Sequence, residues 1–271
     1  MPERLAEIAR DLRVDIIRML VEAKSGHPGG SLSEIDILTC LFFGDILQYK
    51  PEDPSWAGRD RFVLSKGHCT PGLYSTMARA GYFPQEELMT FRKLGSRLQG
   101  HPDRTALPGI EASAGSLGQG LSMAVGMALA ARMDGASWRT YCMMGDGEQD
   151  AGQVWEAAMA AGDYKLDNLV AIVDANQVQQ TGLTKETMRI EPLPERYRAF
   201  GWHAIEFDGH DIDAILSAFH DAAATKDRPT ALIARTIKGK GVSWMELNHN
   251  WHGKAPSADE GERAIAEILG N

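Results

Sequence analysis

Between Arg139 and Gln177 the chain reads RTYCMMGDGEQDAGQVWEAAMAAGDYKLDNLVAIVDANQ, and few folds can accommodate that order of residues. Two apolar runs, Thr140–Met144 and Leu169–Val173, have strand character. The segment between them places Val154, Ala157, Ala158 and Ala161 on one helical face. A strand, glycine turn, helix and strand of this length form a βαβ unit, and its right-handed crossover makes the strands parallel. Their carboxyl ends then share one sheet edge, where open α/β sheets bind ligands. Asp146 and Asn176 are thereby brought within reach of one ion. A carboxylate, an amide oxygen and nearby backbone carbonyls are hard donors, suited to magnesium or calcium. Gly145 and Gly147 let backbone approach a diphosphate, and the helix beginning near Gly152 offers free N–H groups to the anion. The unit therefore reads as a metal-bridged diphosphate anchor, although a GDG tripeptide alone is equally an ordinary turn.

The 271 residues suffice for one large α/β core, and no repeat, low-complexity tract or Pro/Gly/Ser linker suggests an internal boundary. A formal charge of −9 with scattered acidic residues argues against a nucleic-acid surface. Cys40, Cys69 and Cys142 lie in or beside apolar segments without CxxC spacing, the usage of reduced thiols in a cytoplasmic protein. There is neither a signal-peptide pattern nor a run of about eighteen apolar residues, so neither secretion nor a membrane is expected.

From the start, residues 3–23 carry apolar side chains at helical spacing, with Arg4, Glu7, Arg10 and Arg13 on the charged face. The glycine and proline loop from Lys24 to Gly30 follows, after which Ser31 or Ser33 would cap a second helix reaching Gly44. His27 stands in that loop, where a single histidine is usually a surface side chain. A strand over 61–65 delivers Lys66-Gly67-His68, where His68 could equally cap the helix expected from Pro71 to Ala80. His101 sits in a further turn, and Gly115 to Gly120 opens a small-residue helix running to Arg132. Beyond the central unit the pattern predicts helix 194–200, strand 202–207, helix 212–225 and strand 229–236. The basic loops Lys238–Ser243 and Asn250–Pro256 are the natural place to meet an anion, and Trp244 and Trp251 are too apolar to be left in water. The whole predicts a single α/β domain over residues 1–271: a doubly wound, mostly parallel sheet with helices on both faces.

GDG followed about thirty residues later by an Asn after an apolar strand resembles the fingerprint of thiamine-diphosphate enzymes. The filling GQVWEAAMAAGDYKLDNLVAIVD, together with SGHPGGSLS, SKGH and WHGKAP, resembles transketolase in its N-terminal, diphosphate-binding part. The resemblance implies transfer of a two-carbon ketol unit from a ketose to an aldose, with thiamine diphosphate and Mg²⁺ (Ca²⁺ or Mn²⁺ as substitutes) as cofactors. It implies that Asp146, Asn176 and the Val178 carbonyl hold the metal. His68, Gly115, Leu117, Asp146, Gly147, Glu156 and Asn176 would contact or support the cofactor, while His27, His101 and His252 would orient sugar hydroxyls and shuttle protons.

In that family the glutamate that pairs with the aminopyrimidine ring comes from a second, pyrimidine-binding domain. The resemblance covers essentially this whole sequence but only the family's first domain; Glu262 and Glu267 lie in a tail helix. The chain thus resembles the N-terminal subunit of a split transketolase, with the pyrimidine-binding and C-terminal domains on a partner chain, an α2β2 assembly and a sugar-phosphate substrate. Two positions depart from the family pattern. Ala151 stands where a glutamate is usual, with Asp150 and Glu156 as nearby substitutes, and Gln180 replaces an apolar residue beside the thiamine rings. Two other readings remain: the α subunit of a 2-oxoacid dehydrogenase, against which the histidine motifs argue, and a non-catalytic binding subunit.

Overall fold

Alternation along each strand settles how the layers stack. In the computed structural model, which describes residues 1–270, Phe62, Leu64, Tyr141, Met143, Val170, Ile172, Leu232 and Ala234 pack into one hydrophobic core. Val63, Cys142, Met144, Ala171, Val173, Ala231 and Ile233 pack into a second. Successive residues point to opposite faces of a strand, so both sheet faces are apolar and both must be covered.

The strands are β1 (Arg61–Leu64), β2 (Thr140–Gly145), β3 (Leu169–Ala175), β4 (His203–Asp208) and β5 (Thr230–Arg235). They form one sheet in the order β1-β2-β3-β5-β4, and every neighbouring pair is parallel. The helices are α1 (Pro2–Ala23), α2 (Pro28–Phe43), α3 (Thr70–Arg79), α4 (Gly120–Met133), α5 (Gly152–Asp163), the single turn α6 (Thr184–Thr187), α7 (Leu193–Ala199), α8 (Ile212–Ala224) and α9 (Ala258–Leu269). Helices α4, α5 and α7 supply the second core, while α1, α2, α3, α8 and α9 supply the first. The hand of the crossovers explains this division. From β1 through β3 to the far edge at β4 the chain winds one way; from β4 it steps back to β5, and a right-handed connection must then carry α8 over the opposite face. β5 is thereby inserted beside β3.

Element boundaries shift by one or two residues from those expected, with one larger change. Helix α2 starts at Pro28, not at Ser31 or Ser33, because proline at the first helical position has the right φ and no N–H to leave unpaired. His27 therefore stands at its N-cap position with extended backbone. Arg13, expected on the solvated face of α1, is buried instead: its guanidinium makes two hydrogen bonds to Asp36 of α2, at 2.6 and 3.0 Å. The three cysteines are free and buried. Among the described residues no helix is long and apolar enough to cross a membrane.

Candidate functional site

Four adjacent strands end on one side of a cavity of about 340 Å³. Lys66 and His68 follow β1, Asp146 and Gly147 follow β2, Asn176 and Val178 follow β3, and Lys238 follows β5. All of these residues line the cavity. The parallel register brings it about: Gly145 is paired with Asp174, and the Asp146 N–H donates to the Asp174 carbonyl at 3.2 Å. The edge strand β4 contributes nothing, because β5 separates it from β3.

Asp146 is 5% exposed and held from three directions. Its Oδ1 accepts the Gly147 N–H at 2.8 Å; its Oδ2 accepts the Gln177 N–H at 2.8 Å and the Thr184 hydroxyl at 3.0 Å. Burial, and then the Asp174 charge, nevertheless raise its carboxyl above the usual aspartate range. A cation beside it would relieve that cost. Asn176 Oδ1 accepts the Val178 N–H at 3.2 Å, and the Val178 carbonyl accepts the Lys238 ammonium at 2.8 Å. A carboxylate, an amide and a backbone carbonyl thus meet at one cavity, with an ammonium already against the carbonyl. This donor set fits a hard divalent ion that completes its sphere with phosphate oxygens. Among the described residues no cluster of three or more His, Cys, Asp or Glu side chains could hold a metal by itself.

Beneath the cavity lies an ionic network outside the expected site. Lys66, 2% exposed, places its ammonium 2.5 Å from Asp174 Oδ2 and 2.9 Å from Glu34 Oε2. Asp174 also accepts the Ser33 hydroxyl at 2.6 Å, the Asn176 amide at 3.0 Å and the Thr236 hydroxyl. Burial alone would raise the Asp174 carboxyl, but Lys66 and these donors hold it below the ordinary range. Glu34 has no hydrogen-bonding donor for either oxygen, its approach to Lys66 being an undirected ion contact, and burial pushes its carboxyl well up. Asp174 therefore holds the ammonium and Glu34 carries a proton. Glu148, also buried, accepts the Ser65 hydroxyl and the Gly118 and Gly145 N–H groups, the latter two at 2.8 and 3.1 Å. Gly118 has φ +85°, and a Cβ there would come within 2.7 Å of the Ala151 Cβ, so only glycine delivers that N–H.

Three imidazoles roof the cavity. The ring centroids of His27 and His68 are 5.1 Å apart, those of His68 and His252 5.1 Å, and those of His27 and His252 5.6 Å. Burial is the main cause that drives their pKa values down, to about 3 for His27, about 4 for His68 and about 3 for His252, with mutual repulsion and Lys238 adding to it. His252 Nδ1 faces the Lys238 ammonium at 2.7 Å and so accepts, which leaves its proton on Nε2. All three rings are neutral and able to accept a substrate hydroxyl proton. In NMR titrations between about pH 5 and 8 their Cε1–H signals are expected to stay at neutral positions. A midpoint near the ordinary value of about 6.5 for any of them would contradict this electrostatic picture.

Of the residues singled out from sequence, His27, His68, Gly115, Leu117, Asp146, Gly147, Asn176, Val178 and His252 line this one cavity, as does Gln180. His101 is exposed at the rim, where a Cβ on Gly115 would lie 3.6 Å from its ring. Glu156 is exposed on α5 and does not line the cavity, because α5 turns Val154, Ala157, Ala158 and Ala161 to the sheet and Glu156 away from it. The start of α5 is also displaced from its expected role. A 3₁₀ turn over Gly147–Asp150 intervenes, so backbone from Gly145 to Glu148 lines the cavity and Gly152 does not. Lys66, Asp174 and Glu148 were not anticipated; each lies at or just past a strand end, the signal that had marked Asp146 and Asn176.

The sequence profile of the family described as "Transketolase, thiamine diphosphate binding domain" matches residues 2–270. One of the two subunits of the apulose-4-phosphate transketolase of Phocaeicola vulgatus is 46% identical over 256 residues, covering 94% of this chain and 90% of that one. The "6-deoxy-6-sulfo-D-fructose transketolase subunit SqwG" of a Clostridium species is 45% identical over 243 residues, covering 90% and 88%. The structure of transketolase from Leishmania mexicana superimposes with a TM-score of 0.92 at 32% identity, over 98% of this chain and 41% of that longer one. With a matching profile over nearly its full length, relatives of its own size and a shared fold, the chain belongs to the transketolase family and corresponds to its thiamine-diphosphate-binding domain.

Proposed function

We propose that this chain is the diphosphate-binding subunit of a two-chain transketolase, moving a two-carbon ketol unit from a ketose to an aldose, each carrying an anionic group. The observation that carries the reading is the convergence, on one cavity, of a hard-oxygen metal set with three neutral histidines. Asp146, Asn176 and the Val178 carbonyl would hold Mg²⁺, with Ca²⁺ or Mn²⁺ as substitutes, and Gly147 and Lys238 would meet the diphosphate. Once the metal takes the Val178 carbonyl, Lys238 is free to turn to phosphate oxygen. Gly115, Leu117 and His68 would flank the rings. When bound, thiamine diphosphate supplies the electron sink that makes cleavage next to a ketose carbonyl possible. His27 and His252, with His101 at the rim, hold sugar hydroxyls and accept or return their protons, which their neutral state allows.

Two relatives named as transketolase subunits match this chain over about nine-tenths of their length, which supports a partner chain carrying the pyrimidine-binding part. An α2β2 assembly would place two cofactor sites between chains. On this reading residues 1–271 are one domain and Glu156, exposed on α5, faces a neighbouring chain. Three unpaired buried cysteines support a cytoplasmic setting. Calorimetric titration of thiamine diphosphate with Mg²⁺ into this chain, alone and mixed with its partner, tests the proposal. Binding that tightens at least about tenfold, or roughly 1.4 kcal/mol, in the mixture is expected. Equal affinity with and without the partner would remove the shared site, and no binding in either would favour a non-catalytic role.

A further inference from the structure

Arg92 has φ 58°, a left-handed conformation that non-glycine residues seldom adopt without a reason. Its N–H closes the turn by donating to the Leu98 carbonyl at 3.0 Å. This conformation sends the side chain across to two other segments. One guanidinium nitrogen donates to Ser25 Oγ at 2.7 Å. The planar head also lies against Gly100, where a Cβ would come within 2.5 Å of Nε and 2.8 Å of Cζ, and that Nε is buried with no partner. Ser25 precedes His27 by two residues, and Gly100 immediately precedes His101. Both segments are otherwise fastened from outside the pair: Ser31 Oγ donates to the His27 carbonyl at 2.9 Å, and Thr70 Oγ1 donates to the Gly100 carbonyl at 3.1 Å. Arg92 is thus a direct tie between the loop that carries His27 and the turn that carries His101.

We propose that Arg92 is a positioning residue that sets His27 against His101 at the mouth of the cavity, so that both imidazoles address the same ketose. The inference deepens the transketolase reading and rests on it for what the two histidines do, while the tie itself rests on the contacts. A lysine could supply the charge at this position but not a flat fork that both reaches Ser25 and covers Gly100. The charge has its own effect. After burial, the groups that hold His27 neutral are His68, Arg92, His101 and Lys238, and those acting on His101 are His68 and Arg92.

The test uses the reconstituted two-chain enzyme with Arg92→Lys, Arg92→Ala and Ser25→Ala. In Arg92→Lys, kcat/KM for the ketose is expected to fall about 10- to 100-fold, as for small misplacements of catalytic groups, with thiamine diphosphate affinity unchanged. Ser25→Ala, which loses only the hydrogen bond, is expected to fall less and in the same way. In Arg92→Ala the acid limb of the pH profile should also move to higher pH, because His27 and His101 take protons more readily without the cation; added guanidinium should restore part of the rate. Wild-type kcat/KM in Arg92→Lys, or a loss of cofactor affinity in step with kcat/KM, would overturn the proposal. Imidazole NMR on this chain alone gives a readout independent of turnover. The His27 and His101 signals should move in Arg92→Lys and Ser25→Ala while those of His210 and His220 stay. If the wild-type enzyme transfers no ketol unit, the functional reading fails; if the His27 and His101 signals stay in place, the role given to Arg92 fails. Should Arg92→Ala not fold, the other two variants decide.

Discussion

Asp146→Asn is expected to abolish magnesium-dependent thiamine diphosphate binding while leaving the chain folded. Asp146 is the single carboxylate among the three proposed metal donors, and an amide in its place removes the charge that offsets dehydration of a divalent ion. A rise in Kd of about 100-fold or more, roughly 2.7 kcal/mol, is expected by calorimetry. The cost to the apo protein should be small. Asparagine keeps one oxygen for the Gly147 N–H but loses an acceptor for Gln177 or Thr184, worth about 1 kcal/mol. Against this, it removes a buried carboxylate that stands near Asp174. The native carboxyl binds its proton more tightly than the unfolded one, so its contribution to stability declines as pH rises from about 3.9 through the raised native value, then stays level. In the variant that decline should be missing. Undiminished cofactor affinity in Asp146→Asn would remove Asp146 from the metal site.

The second large effect concerns stability rather than binding. Lys66→Met should destabilise the chain by about 3–5 kcal/mol, because it leaves Asp174 ionised and buried without its counter-charge. For a chain of this size that corresponds to a fall in Tm of roughly 6–20 °C. The pH dependence has a definite sign. Asp174, held below its ordinary range, contributes stability that is present above the unfolded carboxyl pKa and is lost as pH falls through the native value. The Lys66 ammonium is buried, which alone would lower its pKa, but Asp174 outweighs that and raises it well above the usual lysine range. Its contribution is therefore complete below about pH 10.4 and is lost only on rising through the higher native value. Lys66→Met should flatten the acid side of the stability profile. Glu34→Gln, by contrast, should change stability by under about 1 kcal/mol, since Glu34 already carries a proton. Thermal unfolding of the two variants side by side checks both assignments, and a mild Lys66→Met with a severe Glu34→Gln would reverse them.

Most of the fold was legible because the signals were local. The run from Arg139 to Gln177 has strand, turn and helix periods that agree, and parallel pairing then forces Asp146 and Asn176 onto one edge. The histidines at 27, 68 and 252 could be grouped through the resemblance alone, for nothing in their spacing says that their rings lie 5.1 to 5.6 Å apart. What the sequence hid depends on tertiary contact. Arg13 occupies the expected polar stripe of α1 and is buried because Asp36 of α2 meets it. Lys66 reads as a solvated charge after a strand until Asp174, 108 residues away, comes against it. The displaced start of α5 has a local cause, a 3₁₀ turn that places Gly147 and not Gly152 at the cavity. Glu156 shows the opposite limit: a position taken from the resemblance points away from this chain's own cavity, and any role for it lies between subunits.

The most direct measurement is ketol transfer by the chain mixed with its partner chain, supplied with thiamine diphosphate, Mg²⁺, a ketose phosphate donor and an aldose phosphate acceptor, each chain also being assayed alone. Transfer in the mixture and none by either chain alone is the predicted result. Undiminished transfer by this chain alone, or none in a mixture that binds the cofactor, would contradict it.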